Sequence, residues 1–406
     1  MEPTGAVASL ASGLAQSGTA LVAARACQGF GSALITPAAL SILTNTFAEG
    51  PARNNALGVW GSLTGIASIV GVIAGGLLAG GPGWRWIFWI NVPIGLAAAA
   101  LALRVLPADH NAVRERRSFD LAGAITLTAG LLLLIFTLGG ATSVGWATAR
   151  TIGGLAGAAV LIAAFAALEL RADSPLIPLA IFRLRTMRTA NIAAVLVFGT
   201  FSVMFFFASI FMQQVHDYSP TKAGFTYVPL AVCVAIGAGA ASTLVTKIAA
   251  RPVLVTGLAL TLAGLLLLWR SPADGSYAVS LLLPFLILGL GCGACYVTLQ
   301  VAAFVGINAE YTGVGAGLIN TSQETGGALG LAVIATIAFN GLATKLTAPT
   351  QHPTLFRHAQ TSADHTAFLA AAVTSAIALL VAIALMPRAN KPSTPPPQQP
   401  RTAPSR

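Results

Sequence analysis

The chain has 406 residues, of which 56% are hydrophobic and only 8% charged, with a formal net charge of +10. So few charges cannot clothe a soluble surface of this size, which excludes an ordinary globular enzyme and leaves an all-α polytopic membrane protein. The basic excess does not mark a nucleic-acid binder, because Lys and Arg are dispersed over short loops with no continuous basic arm.

In hydrocarbon every backbone amide needs an internal partner, so a span must be a helix of roughly 20 apolar residues. The first apolar run, Gly5–Ala15, is too short to cross about 30 Å at about 1.5 Å per residue and reads as a partial helix. On that reading the chain lacks its beginning. Eleven full-length candidates follow: Ala20–Thr44, Ala56–Ala79, Trp86–Leu106, Leu121–Leu138, Ile152–Leu170, Ala190–Met212, Phe225–Val245, Val253–Trp269, Ala278–Phe304, Gly313–Phe339 and Thr366–Met386. Between them, fifteen Lys and Arg fall on one side and six on the other, with Arg25 inside a span. The fifteen-residue side is expected to be cytoplasmic, and it includes the C-terminal tail.

Polar residues inside spans come next, because burying them costs energy unless they are paired or hydrated. In Arg25-Ala-Cys-Gln28-Gly-Phe-Gly31, Arg25 and Gln28 are three apart and share a helix face. Arg25 is either functional or an arginine snorkelling to the interface. Farther on, Gly58, Gly61, Gly65, Gly71, Gly75 and Gly76 recur near four-residue intervals, a smooth stripe for helix contact that serves any bundle or a moving seam. The basic segment Phe182–Arg188, after Pro175 and Pro178, lies along the membrane surface as a linker between bundles.

Cys292-Gly-Ala-Cys295 has metal or redox spacing, but mid-helix and without a nearby His it reads as small packing residues. Gly289-Leu-Gly-Cys-Gly293 likewise reads as close helix packing. Gln300, Asn320 and Gln323 are candidate polar lining, with structural roles as the alternative. Glu324 is the one carboxylate placed well inside a full-length span, either a proton-carrying group or a structural acid held by Gln323 or a hydroxyl. The segment Gly341–His365 is expected to be an external loop holding His352, His358 and His365, and residues from Pro387 onward a disordered tail. No phosphate-binding loop, nucleophile elbow or His-Glu-x-x-His motif occurs, so neither an ATPase of the common type nor an enzyme is expected, and no cofactor or metal.

These sets, in this order, resemble the fourteen-span drug:proton antiporter group of the major facilitator superfamily. Arg25-x-x-Gln28-Gly-x-Gly31 is similar to its fourth-helix motif, and Gly58 to Gly76 to its antiporter motif. Gly83-Trp84-Arg85-Trp86-Ile-Phe-Trp-Ile-Asn91-Val-Pro93-Ile-Gly95 resembles the fingerprint that opens its sixth helix, and Asn320–Gly330 its penultimate helix. The chain departs from the family pattern at Gly71-Val72, where Gly-Pro is usual, and at Ala67, where glycine is usual. Thr246–Arg251 is a degenerate gating loop, and two and a half N-terminal helices of the pattern have no counterpart.

The resemblance implies a remainder of an N-terminal bundle over 1–106, two central spans and a loop over 107–170, a linker over 171–188, a C-terminal bundle over 189–386 and a tail over 387–406. It further implies proton-coupled export of small amphipathic or cationic compounds by alternating access, from a monomer in the plasma membrane surrounded by lipid. Arg25 and Glu324 would couple to protons, Gln28, Gln300, Asn320 and Gln323 would line the path, and Gly58, Gly71, Gly75 and Gly76 would form the seam. The alternatives are a truncated, non-transporting relative acting as a regulator or inactive fragment, a nutrient importer, and a membrane-embedded enzyme.

Overall fold

The computed structural model describes residues 2–47, 51–105, 120–172, 177, 179–307, 311–345 and 353–387. Among these residues every regular element is helical. The order is α1 (Glu2–Leu14), α2 (Gly18–Thr46), α3 (Pro51–Gly80), α4 (Trp86–Trp89), α5 (Asn91–Val105), α6 (Leu121–Val144) and α7 (Ala149–Glu169). After a 3-10 turn at Leu179–Arg183 come α8 (Arg185–Ile210), α9 (Pro220–Thr226), α10 (Val228–Ile248), α11 (Ala250–Trp269), α12 (Leu283–Phe304), α13 (Thr312–Lys345) and α14 (Pro353–Leu385).

All eleven expected spans fall on these helices. Among the described residues, nine stretches are long and apolar enough to cross a membrane. The other two expected spans lie on α3 and α13, helices of 30 and 34 residues. The expected loop at 109–119, Pro175 and Pro178, His352 and the tail from 388 lie outside the described residues.

Three elements differ from the sequence reading. The external loop is shorter than expected, because α14 begins at Pro353, well before Thr366. Its first turns look too polar for a span, yet Gln360 and Asp364 point inward and are buried, so the polarity marks an interior face. The span from Trp86 is divided at Ile90 into α4 and α5, with Pro93, which can donate no ladder bond, at the start of α5. Finally, π-helical turns at Phe211–Val215 and Ala278–Leu282 end α8 and begin α12, a widening that apolar periodicity does not reveal.

The core sits in α8 and α10–α14 as two layers. One gathers Met187, Val197, Leu254, Leu299 and Phe304, with Leu40 of α2 and Leu57 of α3 joining it. The other gathers Phe207, Phe211, Phe285 and Phe368. Lipid gives apolar helices little drive to leave it, so close backbone approach and van der Waals packing must hold them. On α12, Gly289 and Gly293 lie one turn apart against the carbonyls of Leu230 and Val234 on α10, with no room for a Cβ at either. Gly291 faces the other way, where a Cβ would stand 2.7 Å from the Gly257 carbonyl of α11. One Gly-x-Gly-x-Gly run thus clamps α12 between two neighbours. Cys295, buried, packs beside Gly257 in the same contact. Gly199 on α8 and Gly326 and Gly330 on α13 make a second backbone-close crossing.

Candidate functional site

Of the residues singled out in the sequence, Arg25 and Gln28 are brought together on α2. The Arg25 guanidinium donates to Gln28 Oε1 at 2.6 Å, and Gln28 Nε2 donates to Ser9 Oγ of α1 at 2.8 Å. Arg25 also stands over the Phe88 ring, 5.8 Å from its centroid, adding a cation–π contact from α4. The spacing of three places both side chains on one face, and a charge-assisted bond then holds the guanidinium in place. Arg25 itself is exposed and Gln28 half-buried, so this polar chain leads from an open surface inward to the buried Ser9.

The fingerprint residues hold α4 and α5 against α1. Arg85 donates to the Ala15 carbonyl at 3.2 Å and stacks over Trp84. The Trp89 indole fills the space beside Gly13, and Gly95 lies near Ala6. Trp86 meets Trp89 edge-on, and the Asn91 amide bonds back to the Ile87 carbonyl at 3.1 Å. Pro93 is exposed. These residues make a structural clasp, with no cluster of ionisable groups.

The glycine stripe of α3 divides in two. Gly58 lies against Ser242 of α10, and Gly76 against α9, where a Cβ would stand 2.9 Å from the Pro220 carbonyl and 3.3 Å from the Gly224 Cα. Thr221 Oγ1 donates to the Gly76 carbonyl at 3.1 Å. Gly71 and Gly75 have nothing within 4 Å, and the side-chain surroundings of Gly61 and Gly65 lie outside the description. Spacing places these glycines on related faces, but of those whose surroundings are described Gly58 meets α10 and Gly76 and Gly80 meet α9, while Gly71 and Gly75 meet nothing. Part of the contact between α3 and the later helices is therefore made through glycine, which lets the backbones approach closely, with Leu57 packing into the core beside it.

The polar groups of α12 and α13 do not converge with Arg25. Gln300 and Gln323 are buried, and Gln300 Oε1 and Gln323 Nε2 find no partner among the described residues. Buried amides left open in this way are places where water or a ligand completes the bonding. Asn320 turns back onto the Ala316 carbonyl at 2.9 Å. Glu324 is exposed, so its depth along the helix, which the sequence gives, is not matched by enclosure.

Two carboxyl groups that the sequence reading did not select are enclosed instead. Asp364 of α14 is fully buried, with Gln360 Nε2 donating to Oδ1 at 2.9 Å and Oδ2 without a partner. Glu169 at the end of α7 is 5% exposed, accepts from the Ile177 amide through Oε1, and leaves Oε2 without a partner among the described residues. A four-residue spacing from Gln360 was the available signal for Asp364; nothing local marks Glu169. Nearby, His216 follows the π turn of α8. Burial, and after it the positive charge of Arg357, holds its imidazole below the usual pKa of 6.5.

The family model described as Major Facilitator Superfamily matches residues 4–331. The chain is 36% identical over 329 residues to the tetracenomycin C resistance and export protein of Streptomyces glaucescens, covering 81% of this chain and 61% of that protein. It is 35% identical over 337 residues to the cephamycin export protein CmcT of Amycolatopsis lactamdurans, covering 82% and 69%. To the multidrug resistance protein Stp of Mycobacterium tuberculosis it is 30% identical, covering 81% and 60%. The chain thus spans about three fifths to two thirds of the length of these relatives.

Proposed function

Since the chain belongs to the major facilitator superfamily and is a multi-pass membrane protein, we propose that it exports small amphipathic or cationic compounds across the plasma membrane, driven by inward proton movement. The relatives named for export of tetracenomycin C and of cephamycin support the outward direction and a small-molecule cargo. The observation that carries the mechanism is the glycine contact of α3 with α9 and α10 at Gly58 and Gly76, a surface on which two bundles can rock. The division into an N-terminal bundle over 1–106, central spans, linker and C-terminal bundle over 189–386 belongs to this proposal, as do a monomeric state and a cytoplasmic C-terminal tail.

In this reading Arg25, held by Gln28, sets proton affinity on the exposed side of the polar chain. Glu324 binds a proton or a cationic substrate from its exposed position. The open amides of Gln300 and Gln323 and the side chain of Asn320 contribute to the path. The test is flux of ethidium in proteoliposomes under an imposed pH gradient. Arg25→Ala and Glu324→Gln are each expected to lower gradient-driven flux at least about tenfold while leaving folded protein in place, a loss of the size expected when a positioned proton-transfer group is removed. Unchanged flux in Glu324→Gln removes that residue from the mechanism, and no flux from folded wild type leaves the non-transporting alternative.

A further inference from the structure

Between the α6–α7 hairpin and α13 lies a cleft of about 730 Å³. That is within the range of about 300–1,000 Å³ usual for small-molecule sites. Its walls are apolar and aromatic: Leu131 of α6, Phe165 of α7, Phe182 of the 3-10 turn and Leu318 of α13, with the Thr321 hydroxyl beside them. Among the described residues Glu169 is the one ionisable residue in the lining. Its residue is 95% removed from solvent, and Oε2 reaches no hydrogen-bond donor among the described residues. The Oε1 atom is fixed by the Ile177 amide, which aims the carboxyl group and keeps it from turning away. Arg171, two residues on, is exposed and Glu169 is not hydrogen-bonded to it among the described contacts.

An enclosed carboxylate with one open oxygen is costly in such a wall unless a cation or donor completes it. A lipid acyl chain would fill the apolar space but leave Oε2 unsatisfied. A phosphate headgroup would meet like charge. A cation carrying N–H donors on an apolar aromatic body satisfies the oxygen, the apolar walls and the two phenyl rings together.

We propose that the cleft between α6, α7 and α13 is a binding site for amphipathic organic cations, with Glu169 as the charge-recognising group. The lining does not include Arg25, Gln300 or Glu324, though Thr321 and Thr325 on either side of Glu324 belong to it. It rests on the exporter reading for the class of compound, and it gives the α6–α7 hairpin a role in gathering that compound from the membrane.

The test uses the full chain in lipid nanodiscs, with empty nanodiscs as baseline, and follows fluorescence anisotropy of rhodamine 6G, a cation with N–H donors. Nile red, neutral and apolar, is the comparison dye. Glu169→Gln keeps an acceptor for the Ile177 amide and removes only the charge; it is expected to weaken rhodamine 6G about tenfold and leave Nile red unchanged. Glu169→Asp should fall between, and Leu131→Trp, which fills the cleft, should weaken both dyes. Rhodamine 6G binding that is unaltered in folded Glu169→Gln overturns the proposal. So does wild type that retains phospholipid in the cleft and binds no rhodamine 6G. Ethidium flux measured on the same preparations separates these failures from failure of the exporter reading: flux that persists discards the site alone.

Discussion

The helices before α6, such as α2 and α4–α5, and those from α8 onward both include membrane-length apolar stretches, yet they pack differently. In the most apolar stretch of α12, 56% of residues are buried, whereas in that of α4–α5 none is, and in that of α2 only 11%. Hydrophobicity therefore does not decide which helices close on one another in lipid. What separates the two regions is how often glycine meets backbone: Gly237, Gly289, Gly293 and Gly326 each leave no space for a Cβ, while of the described earlier glycines Gly76 alone stands that close to another helix's backbone and Gly18, Gly29, Gly71 and Gly75 have nothing within 4 Å. Tight crossings in the later helices come from small residues placed opposite carbonyls, and the earlier helices are held by point contacts such as Arg85 on Ala15.

The strongest way to break this contrast is to put the same bulk on each side of it. Gly293→Leu forces side-chain atoms into the Val234 backbone and is expected to cost about 3 kcal/mol or more, with loss of monodisperse protein on size-exclusion chromatography. Gly29→Leu, into open space, should leave the elution profile unchanged; equal damage from both would show that burial of α12 does not rest on its glycines. Gly76→Leu tests the contact between the regions. It should leave the α8–α14 core folded, with the midpoint of thermal unfolding lowered by only a few degrees for a cost of about 1 kcal/mol, while slowing ethidium flux about tenfold. An unchanged flux would mean that α3 and α9 do not move across each other.

The smallest effect concerns His216, at the outer edge of the second core layer. Its folded-state pKa lies below that of the unfolded chain, so the unfolded state binds the proton more readily. The stability it contributes is intact above about pH 6.5 and declines as pH falls below that value. NMR titration should show a midpoint lower than that of a free imidazole, and Arg357→Gln should bring it upward by removing the nearer positive charge. A midpoint at or above 6.5 in wild type would sink the argument.

Helix type was legible because the backbone's need for internal bonding leaves one solution for a long apolar run. Depth along a helix was legible as well: Arg25, Gln28, Gln300 and Glu324 all lie on helices as expected. Facing was not. Glu324 is deep along α13 but exposed, whereas Asp364, set among residues polar enough to suggest a loop, is enclosed. Gly71 and Gly58 share a spacing pattern, but only Gly58 meets a partner, since spacing fixes an angle about one helix and carries no information on which neighbour stands there. Glu169 escaped notice for the same reason: its enclosure comes from Ile177, Phe182 and α13, remote from it in sequence or beyond a turn.

The Thr221 hydroxyl and the Gly76 carbonyl make one directional bond from α9 to α3, worth about 1 kcal/mol net. A catch that weak is undone by thermal motion many times a second, and beside it Gly76 and Gly80 let α9 sit close, with the Thr221 side chain lodged against Gly80. Parting α3 from α9 gives up this bond and the van der Waals contact around it and lets lipid tail or water into the gap, and so the composition of the surrounding bilayer becomes one control on how fast these helices separate.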